Sequence, residues 1–286
     1  MHPAQDPLVS IAPGAGGLPK LTLTAPDGAR VEVYLYGAHV TSWIPAGGEE
    51  RLFMSRVSAF VPGSPIRGGV PLVWPQFGMS GPLPLHGIVR LQSWELAAVD
   101  LKDGRATVTL CLTDSEATRS VWGQAFRTEL AVTAGGNELV IALSAANTGA
   151  EPFTFTAALH TYLAVQDLAA THVEGLQGRI YRDNAAGGVE VLDGAPQVVF
   201  GSELSRLYPN APAEVRLVDG DRALTSRAAG FTDAVVWNPG AARCATMPDL
   251  EPEDYLKFVC IETASVVAPV ALAPGERWVG SQTLVG

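Results

Sequence analysis

The sequence predicts an all-β protein folded as one large antiparallel β-sandwich. Short runs rich in β-branched residues recur along the whole chain, and turn-forming residues separate them. Helical periodicity is almost absent. The 286 residues are 47% hydrophobic and only 17% charged, so the chain can bury a large core and is too apolar to be disordered.

Individual strands can be predicted in chain order. Residues 21–24 and 31–35 flank a Pro-Asp-Gly turn, which indicates a first hairpin. Residues 106–113 alternate strictly between apolar and polar side chains. A second hairpin and two further strands are predicted over residues 126–132 with 139–143, 153–159 and 278–285. Helical turns are predicted only within residues 167–176 and 249–255.

No linker composition and no repeat of fixed period divides the chain. We therefore expect residues 1–286 to form a single domain, with residues 1–17 as a flexible or peripheral N-terminal segment. Residues 1–17 lack the basic and apolar regions of a signal peptide, and the apolar stretch 266–273 is too short to span a bilayer. These features predict a cytoplasmic protein with no membrane partner.

Charge and cysteine content exclude several classes of protein. The net charge of -10 argues against nucleic acid and anionic membranes as partners, although local arginines could still bind a small anion. Cys111, Cys244 and Cys260 show no C-x-x-C spacing, which favours reduced thiols over a disulfide scaffold or structural zinc. The five histidines are scattered without metal-ligand spacing, so we expect no metal and no other cofactor.

Residues 61–90 interrupt the strand pattern with six prolines and six glycines. Long irregular segments in compact domains are usually functional or mobile. This one carries Arg67, His86 and Arg90, and we predict that it lines a site, while Trp74 within it belongs to the core.

Two titratable residues end apolar runs that resemble buried strands, Glu262 after residues 258–261 and His160 after residues 157–159. Burying a carboxylate without a partner costs several kcal/mol, so such a group is either paired or handles a proton. Taken alone, each residue is more often structural: a salt-bridged strand carboxylate, or a core histidine with its hydrogen bonds satisfied. Together they can form an acid–base pair.

Blocks of sequence in a fixed order decide between these readings. Residues 66–78 with 83–90, then 159–165, 235–240 and 258–264, resemble the glucose-6-phosphate 1-epimerases, the hexose-6-phosphate mutarotase branch of the aldose 1-epimerase family. The resemblance implies a galactose mutarotase-like supersandwich that interconverts the α and β anomers of a hexose 6-phosphate, most naturally glucose 6-phosphate, without a cofactor.

The resemblance also implies a role for each candidate residue. Glu262 would be the general base and His160 the general acid, with Glu262 ionised and His160 protonated at the start of a cycle. Arg67 and Arg90 would hold the 6-phosphate, because a guanidinium binds phosphate bidentately. His86 would donate to a sugar hydroxyl or brace the site. We expect a monomer whose partner is a small sugar phosphate.

Two positions depart from the family pattern. Leu85 stands where a glutamine is common, and Ser205 stands where our alignment places an aspartate, with Glu203 as an alternative for that role. These departures leave open an aldose 1-epimerase for unphosphorylated sugars and a non-catalytic sugar-phosphate-binding sandwich.

Overall fold

The computed structural model describes residues 8–286, and within this range it contains 21 β-strands and two short α-helices. In chain order the strands are β1 (Val9–Pro13), β2 (Pro19–Thr24), β3 (Arg30–Tyr34), β4 (His39–Ile44), β5 (Leu72–Val73), β6 (Glu95–Lys102), β7 (Arg105–Thr113), β8 (Phe126–Gly135), β9 (Glu138–Asn147), β10 (Phe153–Leu159), β11 (Tyr162–Ala164), β12 (Thr171–Glu174), β13 (Ile180–Asp183), β14 (Val189–Leu192), β15 (Val198–Val199), β16 (Leu204–Tyr208), β17 (Glu214–Asp219), β18 (Arg222–Ala229), β19 (Asp233–Asn238), β20 (Phe258–Leu272) and β21 (Arg277–Val285). The helices are α1 (Glu116–Val121) and α2 (Gly240–Cys244).

The strands form three sheets whose ladders are antiparallel. A four-stranded sheet has the order β1-β2-β3-β4, and a nine-stranded sheet has the order β15-β12-β17-β18-β21-β9-β8-β7-β6. An eight-stranded sheet follows the order β14-β13-β16-β19-β20-β10-β5, and β11 pairs with β20 beside this path. The predicted all-β antiparallel fold is therefore confirmed.

Both predicted hairpins are present. Strand β2 pairs with β3 through Leu21↔Val33, and β8 pairs with β9 through Leu130↔Leu143. Their turns contain Gly28 and Gly136 in the left-handed backbone region, which a glycine adopts without steric cost. The local sequence pattern and the turn chemistry thus specify these pairings.

One continuous cluster of buried apolar side chains draws on all three sheets and forms the core. Trp43 comes from the four-stranded sheet, Leu130 from the nine-stranded sheet and Ile261 from the eight-stranded sheet. Trp74 lies fully buried among the rings of Trp122, Phe126 and Phe155, as predicted for a core residue. This packing fixes the eight-stranded sheet against its neighbours.

Both segments predicted to contain helical turns hold one, in each case a 3-10 turn and not an α-helix. Residues 167–176 contain only a three-residue 3-10 turn before β12, and residues 249–255 contribute to a single 3-10 turn at Asp254–Leu256. Helix α1 was missed, although Ser115 caps it by accepting a hydrogen bond from the Thr118 amide. At six residues, α1 is too short to give a periodic signal. No helix within residues 8–286 is long and apolar enough to cross a membrane.

The N-terminal segment and the loop over residues 61–90 each contain a strand. Strand β1 forms the edge of the four-stranded sheet and is mostly exposed, whereas residues 1–7 lie outside the described range. The loop contains the two-residue strand β5, which pairs with β10. Because β10 precedes His160, this pairing brings the loop to the same end of the sheet as His160.

Candidate active site

A cavity of about 250 Å³ opens beside the eight-stranded sheet, between its strands β16, β19 and β20 and the loop over residues 61–90. All five residues predicted to form the site line this cavity. They are Arg67, His86, Arg90, His160 and Glu262. The other lining residues are Pro65, Ile66, Pro71, Phe77, Leu85, Tyr162, Asn184, Ser205, Val235, Trp237, Arg243 and Met247. The loop therefore lines this cavity.

A second cavity of about 240 Å³ is bordered by β17, β18, β19 and β20. Its lining includes Asp233, whose carboxylate accepts the amide protons of Val266 and Val267 at 2.8 and 2.9 Å. The cluster of imidazole and guanidinium groups lies in the first cavity. We therefore place the chemistry in the first cavity.

His160 and Glu262 contact each other in the first cavity. The Nε2 atom of His160 lies 3.3 Å from Oε1 of Glu262. Strand pairing explains the contact, because Leu159 at the end of β10 pairs with Thr263 of β20. The ring of His160 also stacks on that of Tyr162, with centroids 4.9 Å apart and planes inclined by 13°. The pairing of β10 with β20 and the stacking on Tyr162 therefore hold the pair in place.

Each member of the pair retains one polar atom without a protein partner. These atoms are Nδ1 of His160 and Oε2 of Glu262, and both are buried. Glu262 is 1% exposed and His160 is 9% exposed. Unpaired buried polar atoms are costly, so their presence in a cavity indicates atoms that a ligand could contact.

Burial sets the charge of this pair. It raises the pKa of Glu262 well above its ordinary value. It also lowers the pKa of His160 well below its ordinary value, and the neighbouring His86, Arg67 and Arg90 lower that pKa further. Both shifts favour an uncharged pair, whereas the sequence analysis expected an ionised Glu262 and a protonated His160. The structure differs from this expectation because burial disfavours both charges, and only one contact, between Nε2 and Oε1, joins the two groups.

The backbone beside Arg67 requires glycine. Gly68 and Gly69 have φ values of 102° and 59°. A Cβ atom on Gly69 would lie 2.1 Å from the carbonyl oxygen of Val40. His39 contacts the carbonyl oxygen of Gly68 through Nε2 at 2.7 Å. Glycine at these two positions therefore lets the backbone beside Arg67 pack closely against its neighbours without strain.

Arg67 forms an ion pair and a hydrogen bond within the protein. Its Nε and Nη2 atoms lie 3.0 and 2.9 Å from Oδ2 of Asp249, and its Nη1 atom donates to the hydroxyl oxygen of Tyr162 at 2.7 Å. Burial alone would lower the pKa of Arg67, but Tyr162 and Asp249 outweigh it and leave that pKa raised. Arg67 is thus charged, oriented and partly neutralised.

Arg90 is the less compensated cation. Its Nη2 atom donates to the carbonyl oxygen of Leu85 at 2.7 Å, and its buried Nε atom has no partner. Burial, together with the charge of Arg67, lowers the pKa of Arg90 to about 10. Arg90 is therefore charged at neutral pH, and no carboxylate contacts it within the described part of the chain.

His86 is held as a neutral hydrogen-bond donor. Its Nδ1 atom accepts the amide proton of Gly78 at 3.2 Å, so the ring proton of the neutral imidazole lies on Nε2. Burial and the charges of Arg90 and Arg67 lower the pKa of His86 to about 3. Its ring meets that of His160 edge-on at 5.6 Å. His86 can therefore offer Nε2–H to a ligand in the cavity.

Several cavity residues were not predicted. Tyr162 lies within the block 159–165, but no sequence feature indicates its role, and none singles out Arg243 or the Arg67 partner Asp249. Asp249 contacts Arg67 across 182 residues of sequence, so no local signal could have revealed it.

The two departures from the family pattern also line the cavity. Ser205 pairs with Trp237 in adjacent strands, and Glu203 instead binds Arg243 at 3.3 Å. Leu85 contributes its carbonyl oxygen to Arg90. Within residues 8–286, no three His, Cys, Asp or Glu side chains converge in the way that a metal ion requires.

Comparison with known proteins gives a consistent result. The protein family described as aldose 1-epimerase matches residues 19–284. The chain is 34% identical over 285 residues to a Cenchrus ciliaris protein named "Putative glucose-6-phosphate 1-epimerase", covering 96% of this chain and 87% of the relative. A Salmonella typhimurium protein of the same name is 37% identical over 240 residues, covering 82% of this chain and 79% of the relative.

The solved structures agree with the fold. A Salmonella typhimurium crystal structure described as "a putative mutarotase (YeaD)" superimposes with a TM-score of 0.91 at 31% identity. The match covers 99% of this chain and 94% of the other. The predicted mutarotase-like supersandwich is therefore confirmed.

Proposed function

This chain belongs to the aldose 1-epimerase family, and from that premise we propose that it interconverts the α and β anomers of a hexose 6-phosphate. One observation carries the proposal. A buried imidazole–carboxyl pair at 3.3 Å shares a single cavity with two arginines, Arg67 and Arg90. The pair supplies acid–base chemistry, and the arginines supply an anion site in the same cavity. Glucose 6-phosphate is the substrate that we propose.

Anomer exchange needs one proton removed and one delivered. Glu262 takes the proton of the C1 hydroxyl while His160 gives a proton to the ring oxygen, and the C1–O5 bond breaks to leave the open-chain aldehyde. Rotation about the C1–C2 bond presents the other face of the aldehyde. The same groups then work in reverse, as His160 recovers its proton and Glu262 returns one to the new C1 hydroxyl. Each positioned proton-transfer group contributes about 10²- to 10⁴-fold to the rate.

The number of protons on the pair does not change during this cycle. Before ring opening the pair is carboxylate and imidazolium, and after ring opening it is carboxylic acid and neutral imidazole. Burial raises the pKa of Glu262 and lowers that of His160, so it favours the second state. The protein environment therefore drives the proton transfers that open the ring.

A bound substrate phosphate would raise the pKa of His160, which is the opposite of the effect of the arginines. The positive charges of Arg67 and Arg90 lower the pKa of His160, and a phosphate dianion bound to them would cancel part of that field. The charged state of the pair thereby becomes accessible when the phosphosugar is bound. In this account the phosphate contributes to turnover as well as to affinity, which a neutral sugar cannot do.

His86 completes the proposed substrate contacts. Its fixed Nε2–H donor faces the cavity, where a sugar hydroxyl can accept it. The departure at position 85 has a simple explanation, because Leu85 holds Arg90 through its backbone carbonyl, which any residue supplies. Ser205 keeps a hydroxyl at the cavity wall, in place of a charged contact.

Two-dimensional exchange NMR at anomeric equilibrium tests this function. Wild-type protein is expected to accelerate α-to-β exchange of glucose 6-phosphate well above the buffer rate, and to act much more weakly on glucose. Acceleration of glucose alone would contradict the arginine assignment. Binding of glucose 6-phosphate without acceleration would favour a non-catalytic binding protein.

The unpaired cysteines Cys111, Cys244 and Cys260 fit a reducing compartment, and we propose a cytoplasmic location. Cell fractionation with an antibody to the protein tests this.

A further inference from the structure

We propose that Arg243 is a third phosphate-binding arginine. It forms an ion pair with Glu203 until the phosphosugar binds and takes the place of Glu203. This inference rests on the proposed function. It assigns a specificity-determining role to a residue outside the sequence motifs and to the ion pair that it makes.

Arg243 lines the same cavity as Arg67 and Arg90. It lies in α2, and the helical turn continues beyond that helix because the amides of Thr246 and Met247 donate to the carbonyls of Arg243 and Cys244. Arg243 and Met247, on either side of this turn, both line the cavity. The side chain of Arg243 is thus directed into the site.

The same segment contacts the phosphate-binding loop. Asp249 follows this turn and binds Arg67 at 2.9 Å. Residues 240–249 therefore present a cation to the cavity at Arg243 and hold another cation in place through Asp249. Arg243 and Arg67 consequently lie along one continuous edge of the site.

The charges of the site show why a third arginine is needed. The carboxylate of Asp249 already balances Arg67, which leaves Arg90 as the uncompensated cation. A phosphate monoester carries about -1.5 to -2 charges at neutral pH. One uncompensated guanidinium therefore matches only part of that charge, and a second must come from Arg67 or Arg243.

Exposure decides which arginine can be released. The side chains of Arg67 and Asp249 are each 22% exposed, and Tyr162 also binds Arg67. Arg243 and Glu203 are 56% and 34% exposed, and a single contact of 3.3 Å joins them. Exposed ion pairs contribute only about 0–1 kcal/mol, so the pair of Arg243 and Glu203 is the one that an incoming phosphate can separate.

The proposal predicts opposite effects for the two partners. Arg243→Ala should weaken glucose 6-phosphate binding about tenfold or more, because it removes a charged hydrogen bond to the phosphate. Glu203→Gln should strengthen that binding about two- to fivefold, because it removes the competing carboxylate. Glucose binding should change less than about twofold in both variants, because glucose carries no charge for either group to bind.

A matched pair on the nine-stranded sheet controls for net charge. Arg227 and Glu214 form an ion pair at 2.8 Å with exposures of 52% and 58%, and neither residue lines the cavity. Arg227→Ala and Glu214→Gln change the net charge by the same amounts as the test variants. They should leave both sugars' affinities unchanged.

The experiment is calorimetric titration of all five proteins with glucose 6-phosphate and with glucose, alongside exchange NMR of the phosphosugar. Opposite shifts confined to glucose 6-phosphate support the inference. It is overturned if Arg243→Ala leaves the phosphosugar's Kd within about twofold of wild type, or weakens both sugars equally. If wild type interconverts the anomers and Arg243→Ala binds glucose 6-phosphate as tightly as wild type, this inference is refuted and the proposed function stands. Binding shifts without wild-type turnover refute the proposed catalysis alone, and no phosphosugar binding by wild type refutes both.

Discussion

Replacing Glu262 by glutamine is expected to stabilise the fold while it removes activity. The side chain is 1% exposed, and its Oε2 atom has no partner in the protein. A buried polar group without a partner costs about 1–3 kcal/mol, and more when it is charged. Glutamine keeps the shape of the side chain and removes the ionisation. We therefore expect Glu262→Gln to raise the free energy of unfolding at pH 8 by about 2 kcal/mol, or the Tm by roughly 3 °C for a chain of 286 residues.

The pKa shift of Glu262 determines how the stability difference between Glu262→Gln and wild type changes with pH. Burial raises the folded-state pKa of Glu262 above the ordinary value of 4.5. Below pH 4.5 the carboxyl is protonated in both the folded and the unfolded protein, so it carries no penalty there. Wild-type stability is then lost as the pH rises from 4.5 through the raised folded-state pKa. The advantage of Glu262→Gln should therefore be small at pH 4, grow with pH and finally level off.

Glu32 provides a control with the opposite sign. Burial alone would raise its pKa, but hydrogen bonds from Lys20 and Arg30 outweigh this and leave the pKa lowered. Glu32→Gln should therefore cost up to about 1 kcal/mol at pH 7. That cost should disappear as the pH falls from 4.5 through the lowered folded-state pKa of Glu32.

Urea unfolding followed by tryptophan fluorescence at pH 4, 6.5 and 8 measures both variants against wild type. Above pH 6.5 His160 is neutral in both states, because burial lowers its pKa below that value in the folded protein. The difference at pH 8 therefore reports on Glu262. A Glu262→Gln variant that is equal to or less stable than wild type at pH 8 would refute the argument that burial penalises this carboxylate.

Three further substitutions separate the roles of the cavity residues. Arg90→Ala removes the uncompensated cation, so calorimetry should show glucose 6-phosphate binding weakened by about tenfold or more; an equal loss for glucose would contradict the phosphate assignment. Tyr162→Phe keeps the ring stacked on His160 but loses the hydroxyl that binds Arg67. The KM for glucose 6-phosphate should therefore rise about fivefold in steady-state exchange measurements. A fall in kcat larger than the rise in KM would contradict this. Leu85→Gln should change kcat/KM by less than about threefold, because the backbone carbonyl holds Arg90; a tenfold change in either direction would show that the side chain matters.

Local sequence patterns were sufficient for seven of the 21 strands within residues 8–286, and for the selection of candidate residues within motifs. The hairpins formed by β2 with β3 and by β8 with β9 could be predicted because alternation and turn glycines act over a few residues. His160 and Glu262 could be selected because each ends an apolar strand-like run. Their contact could be inferred only from the family resemblance, since it depends on the pairing of β10 with β20.

Long-range partners and charge states could not be predicted in this way. Asp249 reaches Arg67 across 182 residues, and Arg243 enters the cavity from a five-residue helix with no periodic signal. The uncharged state favoured for His160 and Glu262 depends on burial, which single residues do not reveal. The sequence thus selects the candidate reacting groups, and the fold determines their electrostatics.

The central claim is that Glu262 and His160 exchange protons with a bound phosphosugar. Exchange NMR of glucose 6-phosphate with wild type and Glu262→Gln, at concentrations where calorimetry shows both to be saturated, tests it most directly. We expect Glu262→Gln to lose about 10²- to 10⁴-fold in anomer exchange rate, while its Kd stays within about threefold of wild type. A saturated variant that exchanges the anomers as fast as wild type would contradict the account.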